Sequence, residues 1–213
     1  MGNVVRLRIQ LADRAGALGQ AATVIGVHGG NIVFIDIHRT EGEVAVDDLV
    51  VEFAEPPDLD DLAHDLTTNA TTSLLWHEPA EGEDPLVQGL LLLAAASDRD
   101  GGTSLAEAIA AISHSQAAWV TDEREAGRFE AGKMAIDNGH PVVKPASKVP
   151  AQLGITVSGD AWLAAVPEPA GSEDRKIAFV VRSGQVPFTA TEIGRIQALM
   201  SAHAKIAPTA RPT

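Results

Sequence analysis

A chain of 213 residues with 45% apolar side chains has room for one large core or for two domains of about 100 residues each. Its complete lack of cysteine excludes disulfides, thiolate metal sites, iron–sulfur clusters and thioether-held cofactors. The net charge of −13 divides as −9 over residues 1–79 and −4 over 80–213, so neither half offers the basic footprint that phosphate backbones need, and nucleic acid is not an expected partner.

Leu7, Ile9 and Leu11 alternate with Arg6, Arg8 and Gln10, which predicts a half-buried strand. Leu18, Ala21, Ala22 and Ile25 follow with helical spacing, and Gly29-Gly30 stops that helix. Alternation returns over 31–39, with Val33, Ile35 and Ile37 on one face and Phe34, Asp36 and His38 on the other. After a turn at Thr40-Glu41-Gly42-Glu43, a third strand carries Leu49, Val51 and Phe53 on one face. Pro56-Pro57 ends it, Asp58 is placed to cap a helix bearing Leu59, Leu62 and Leu66, and a last strand runs near Thr72 to His77. The order β-α-β-β-α-β packs two helices on one face of an antiparallel sheet.

Pro79-Ala80-Glu81-Gly82-Glu83-Asp84-Pro85 is polar and bracketed by prolines, which sets the division as a domain over 1–79, a linker over 80–84 and a second domain over 85–207, with a disordered tail at 208–213. The second domain is expected to hold apolar helices near 85–97 and 103–114, strands at 117–121, Ala161 to Val166 and Ile177 to Arg182, and a segment without clear pattern over 124–154. Its last helix has the clearest start in the chain. Thr189 and Glu192 have capping-box spacing, and Phe188 and Ile193 can form the hydrophobic staple across it. Ile193, Ile196, Met200 and His203 then trace one face. The longest apolar stretch, Leu90 to Ala96, falls far short of the ~20 residues of a membrane span. Met1 to Arg6 contains no signal-peptide apolar region, and Arg6 stands where a myristoylation motif needs Ser or Thr; a cytoplasmic location is expected.

The chemistry concentrates at the first turn. Asp13-Arg14-Ala15-Gly16-Ala17-Leu18 joins a strand to a helix, and the first N–H groups of a helix have no intrahelical partner and sit at its positive end, so they suit a carboxylate. An acid at Asp13 and an amide at Asn31, expected near the same end, would hold an amino group. That suggests a pocket for a free amino acid rather than a catalytic centre. Three plainer roles compete: Asp13 capping a helix that begins at Arg14, Gly16 serving turn geometry or close packing, and Asn31 making a turn after two glycines.

Over roughly residues 3–78 the chain resembles the ACT domain, a small regulatory module of the same βαββαβ, ferredoxin-like order. The resemblance rests on Asp13-Arg14-Ala15-Gly16-Ala17-Leu18 followed, after one helix, by Gly30-Asn31-Ile32. It implies pairing of sheets or helices between subunits, with an amino acid bound near the interface. Asp13 and Asn31 would then contact its amino and side-chain groups, and the backbone of Gly16, Ala17 and Leu18 its carboxylate. Ala15 departs from the proline common at that position. Residues 85–207 resemble a GAF domain more loosely, through Gly154-Ile155-Thr156-Val157 leading into Ala161-Trp162-Leu163, then Phe179-Val180-Val181, then Pro187-Phe188-Thr189. This implies an α/β domain with a central antiparallel sheet, used for small-molecule sensing or dimerisation.

Other chemistry finds little support. His28, His38, His64, His77 and His114 fall on separate elements without His-x-x-x-His spacing, so no metal is expected, and no cofactor motif is present. His140, Lys133, Lys144 and Lys148 are read as a solvated loop or, secondarily, an anion pocket. Ser113-His114-Ser115 puts serine beside histidine, but helical neighbours point apart, and no nucleophile elbow or phosphate-binding loop exists. The chain therefore reads as a non-catalytic homodimeric amino-acid sensor. The alternatives are a regulatory subunit docking on a biosynthetic enzyme, and an enzyme acting through the second domain.

Overall fold

The computed structural model describes residues 3–38, 43–80, 87, 89–91, 101–146, 149–156, 160–169, 175–184 and 186–206. The chain divides into two compact units, Met1–Asp84 and Pro85–Thr213, each built on its own antiparallel four-stranded sheet.

In the first unit the elements are β1 (Asn3–Ala12), α1 (Ala17–Val27), β2 (Gly30–His38), β3 (Val44–Phe53), α2 (Leu59–Ala70) and β4 (Ser73–Pro79). This is the expected βαββαβ order, with the strands arranged β2-β3-β1-β4. The core joins Leu7, Ile9 and Leu11 of β1 and Leu49, Val51 and Phe53 of β3 to Ile25 of α1 and Leu66 of α2. Burying each such side chain contributes about 1.5–3 kcal/mol, which is what holds the helices on that face. Asp58 caps α2 as its position predicts, its carboxylate accepting the amides of Asp60 and Asp61 at 3.1 Å. A register shift between Ile32 and Phe34 leaves Val33 as an extra residue in β2.

The second unit contains α3 (Gly101–Ile112), β5 (Ala117–Asp122), α4 (Glu123–Ala126), α5 (Glu130–Asn138), β6 (Val142–Pro145), a 3-10 turn (Ala151–Leu153), β7 (Ala161–Pro167), β8 (Lys176–Ser183) and α6 (Ala190–Ile206). Its strands lie in the order β5-β8-β7-β6. Alternation in β7 and β8 feeds two cores. Ala164, Val166, Ala178 and Val180 pack with Ile109 of α3 and Ile196 of α6, whereas Leu163, Ala165, Ile177 and Phe179 pack with Ala126, Ala135 and Leu153. Trp119 stacks on Phe179 at 5.3 Å between ring centres, and Phe129 meets both rings edge-on.

The capping box forms as its spacing predicts. The Thr189 amide donates to Glu192 Oε2 at 2.8 Å, and the Glu192 amide donates to Thr189 Oγ1 at 3.2 Å. Glu192 does more than cap, since its other oxygen receives Arg182 from β8, a cation that also donates to the Ser113 carbonyl at 2.8 Å and lies over the Phe188 ring. The patternless stretch 124–154 resolves into α4, α5, β6 and the 3-10 turn, elements too short for a periodicity window to register. Most of the predicted helix at 85–97, the turn residues Thr40 to Gly42, linker residues 81–84 and the predicted tail at 208–213 lie outside the described residues.

Candidate functional site

The turn after β1 is built by backbone hydrogen bonds. The Asp13 amide donates to the Glu43 carbonyl at 2.8 Å, the Arg14 amide to the Ala12 carbonyl at 2.8 Å, and the Ala17 amide to the Arg14 carbonyl at 3.2 Å. Gly16 precedes α1 at φ 87, a left-handed conformation that strains any L side chain, while a Cβ there would meet nothing within 4 Å. Its glycine is thus required by dihedral angle and not by crowding. Asp13, Arg14, Ala15 and Gly16 are all exposed, and Arg14 reaches Gln20 Oε1 at 2.8 Å.

No side chain caps α1, whose cap position is Gly16, so the helix-capping role considered for Asp13 is ruled out. Of the backbone amides expected to face a carboxylate, that of Ala17 is already taken by Arg14. Those of Leu18 and Gly19 lie too early in the helix for an intrahelical acceptor.

Asn31 is elsewhere. It pairs with Glu52, which pairs with Val4 on its other side, so Asn31 lies at the start of β1 whereas Asp13 follows its end. At ~3.3 Å per residue the two are roughly 30 Å apart within one chain. Within one chain, therefore, Gly30, Asn31 and Ile32 do not converge with the Asp13 turn. Gly30 serves packing, because a Cβ would fall 2.6 Å from Ile25 Cγ2 and 2.7 Å from Val51 Cγ1. Asn31 is exposed within β2, Ile32 packs half-buried on the core, and the left-handed turn residue is Gly29 at φ 77.

On the helix side of the sheet, a charged group toward the same end as the Asp13 turn is Asp47. It pairs with Ile9 and with Ile37, hence faces the helix side of the sheet, and is 3% exposed. Its Oδ1 is buried with no hydrogen-bond partner among the described residues. Burial pushes its carboxyl up to about 6, opposed by the charge of His38 and reinforced by Asp48, Asp36 and Asp13. A signal for it existed in the sequence: Asp47 occupies a core-facing step of the alternation Ala45, Asp47, Leu49, Val51, Phe53.

The other face of this sheet carries a buried ion-pair network. Arg8, fully buried, donates through Nε to Asp48 Oδ1 and through Nη2 to Asp48 Oδ2, both at 2.6 Å. His38 Nε2 lies 3.0 Å from Asp48 Oδ2, Asp36 approaches His38 at 3.9 Å, and Arg8 lies over the Trp76 ring at 5.4 Å. Arg6 joins Glu78 at 3.2 Å. Burial alone would raise the Asp48 carboxyl, but hydrogen bonds and charge from Arg8 and His38 hold it well below the usual carboxylate range.

Among the described residues, ligand atoms of Asp36, His38 and Asp48 lie within 4.8 Å of one another, a grouping that sequence spacing did not reveal because it forms across strands. Arg8 occupies both Asp48 oxygens, and its guanidinium opposes a second cation there. In the second unit Lys144 pairs with Glu130 at 2.6 Å, Lys133 and His140 are exposed, and Lys148 is outside the described residues. Ser113 Oγ bonds the Ile109 carbonyl and the Ser115 hydroxyl, both at 2.7 Å. A groove of about 310 Å³ between α1 and α2 is lined by Gln20, Thr23, Val24, Val27, Asp65 and Asn69. Among the described residues, no helix is long and apolar enough to cross a membrane.

Comparison with solved structures finds several likenesses. The ACT domain from the GTP pyrophosphokinase of Chlorobium tepidum matches at 19% identity and TM-score 0.29, over 38% of this chain and 100% of that one. GqqA, described as a novel type of quorum quenching acylase, matches at 21% identity and TM-score 0.30, over 38% of this chain and 43% of that one. An unknown protein from Galdieria sulphuraria matches at 10% identity and TM-score 0.34, over 96% and 93% of the two chains. No curated protein matches significantly. Residues 5–66 match the family model of the ACT domain, generally a regulatory module that binds amino acids, and with the βαββαβ order this gives the first unit its ACT-like character.

Proposed function

We propose that this chain is a non-catalytic regulatory protein that senses a free amino acid through its first unit and signals by altered subunit or partner contacts. The observation that carries the reading is the ACT match over residues 5–66, and the exposed Asp13–Gly16 turn with the uncapped start of α1 supports it. A ligand that prefers one subunit arrangement shifts the population toward it, and no other step is needed for signalling. Calorimetry of the full chain with each of the twenty L-amino acids tests the reading. Saturation at 100 times the dissociation constant is expected to stabilise the fold by about 2.7 kcal/mol, and no heat with any of them overturns it.

Homodimerisation through the first unit is part of the proposal. Edge strand β2 leaves Val33, Ile35 and Ile37 at 47%, 40% and 61% exposure, an apolar edge of the kind that pairs with another chain. Sedimentation of the full chain is expected to give twice its 22.2 kDa mass. The same edge also supports the second reading, docking as a regulatory subunit on a biosynthetic enzyme. The GAF-like use of the second unit is proposed only from its sheet, flanked by helical layers on both faces.

A further inference from the structure

We propose that Asp47 is the ammonium anchor of the amino-acid site, with Ile35 and Ile37 as the shelf for an apolar ligand side chain. The inference rests on the sensor reading and replaces Asn31, which lies at the far end of the sheet.

Three geometric facts support it. Asp47 is 3% exposed, yet its Oδ1 has no hydrogen-bond partner among the described residues, and an unpaired buried carboxylate is a standing cost to the fold. Its two cross-strand neighbours differ sharply: Ile9 is fully covered, whereas Ile37 is 61% exposed, so the carboxylate sits at the rim where helical cover over the sheet ends. It also lies toward the end of the sheet where β1 turns through Asp13 into α1, since its partner Ile9 is close to the last residue of β1, Ala12. In the proposed site the ligand's ammonium lies against Asp47 at this rim, and its carboxylate is directed to the start of α1, where the first helical amides lack intrahelical acceptors.

Chemistry selects the ligand. A divalent metal would need several converging oxygens, whereas one monodentate ammonium satisfies one carboxylate. The remaining charged groups around Asp47 are Asp48, Asp36 and His38, of which Asp48 is already engaged by Arg8. Acidic ligand side chains are repelled by the surrounding carboxylates. Ile35 pairs with Leu49 on the same face as Asp47, so the apolar edge continues beside the anchor.

The test is calorimetry of the full chain and its Asp47→Asn variant with L-leucine, L-isoleucine, L-valine, L-aspartate and N-acetyl-L-leucine, at pH 6 in buffers of different ionisation enthalpy. The variant removes an unpaired buried charge, so it is expected to fold at least as stably as the parent. Support is binding of an apolar amino acid, no binding of the N-acetyl compound, and a tenfold to hundredfold loss in Asp47→Asn. Release of about half a proton on binding, absent in the variant, is the signature that a purely structural role would not give. Binding that survives Asp47→Asn, binding of L-aspartate in preference to the apolar ligands, or a loss without change in proton release overturns the anchor and leaves the sensor reading standing. No binding of leucine, isoleucine or valine overturns the anchor and its apolar shelf, and no heat with any of the twenty amino acids in the calorimetry of the full chain overturns the sensor reading as well.

Discussion

Asp47 and Asp48 are consecutive in β3 and face opposite sides of one sheet, and their carboxyls are driven in opposite directions. Asp47, unpartnered among core residues, is raised to about 6, while Asp48, gripped by Arg8 and His38, is held well below the ordinary range. The two therefore contribute to stability with opposite signs.

For Asp47 the folded-state value lies above the unfolded 3.8, so the native state binds the extra proton between about pH 4 and 6. Stability contributed by this group is lost as pH rises through that window, on the order of 3 kcal/mol at full ionisation. Asp47→Asn is expected to be more stable than the parent at pH 8 and equal to it below pH 4. Urea denaturation at both pH values checks this, and equal stability at pH 8 refutes the unpaired burial.

Asp48 runs the other way. Its depressed value gives stability that is full above the unfolded 3.8 and is lost as pH falls further. Arg8→Met strands a buried carboxylate and is expected to cost about 3–5 kcal/mol at neutral pH. Replacing the pair together, Arg8→Met with Asp48→Leu, is expected to recover most of that. Thermal melts of the single and double variants decide it, and a mild single variant would show that the pair is not tightly coupled.

Gly30 and Gly26 separate packing from propensity. A methyl at Gly30 meets side chains at 2.6–2.9 Å, so Gly30→Ala is expected to destabilise by about 1–3 kcal/mol. At Gly26, helical with nothing within 4 Å of a Cβ, alanine is expected to stabilise by roughly 0.5–1 kcal/mol. Denaturation midpoints moving the same way in both would contradict this packing.

Asp13 makes a sharper test now that α1 is known to lack a side-chain cap. Asp13→Asn and Asp13→Ala are both expected to leave stability within about 0.5 kcal/mol. Each is expected to weaken amino-acid binding about tenfold or more, as the loss of one charged hydrogen bond would. A melting temperature that falls only in the alanine variant would restore a structural role for the side chain.

The first unit was legible because its strands alternate cleanly and its breakers are strong: Gly29-Gly30, Pro56-Pro57 and the Asp58 cap fall where the structure ends or starts elements. The Thr189–Glu192 box was legible for the same local reason. Placing Asn31 at the Asp13 end of the same chain failed on a connection rule. A strand–helix–strand crossover returns the chain to the starting end, so β2 begins beside the start of β1. The Arg8–Asp48–His38 network was not legible, because its members meet only through cross-strand register and read in sequence as an ordinary polar face.

The extra residue in β2 decides which side of the sheet receives charge. Ile32 opposes Val51 and Phe34 opposes Val50, so Val33 is taken up without a partner. If the strand straightened and Val33 paired with Val50, every later residue would slip by one and exchange faces. Asp36 would then oppose Asp47 among the core residues, and Ile35 would oppose Asp48 within the ion-pair network. Deleting Val33 is expected to leave the pattern in phase, whereas inserting one residue after it is expected to invert the strand, so this edge should tolerate a loss and not a gain.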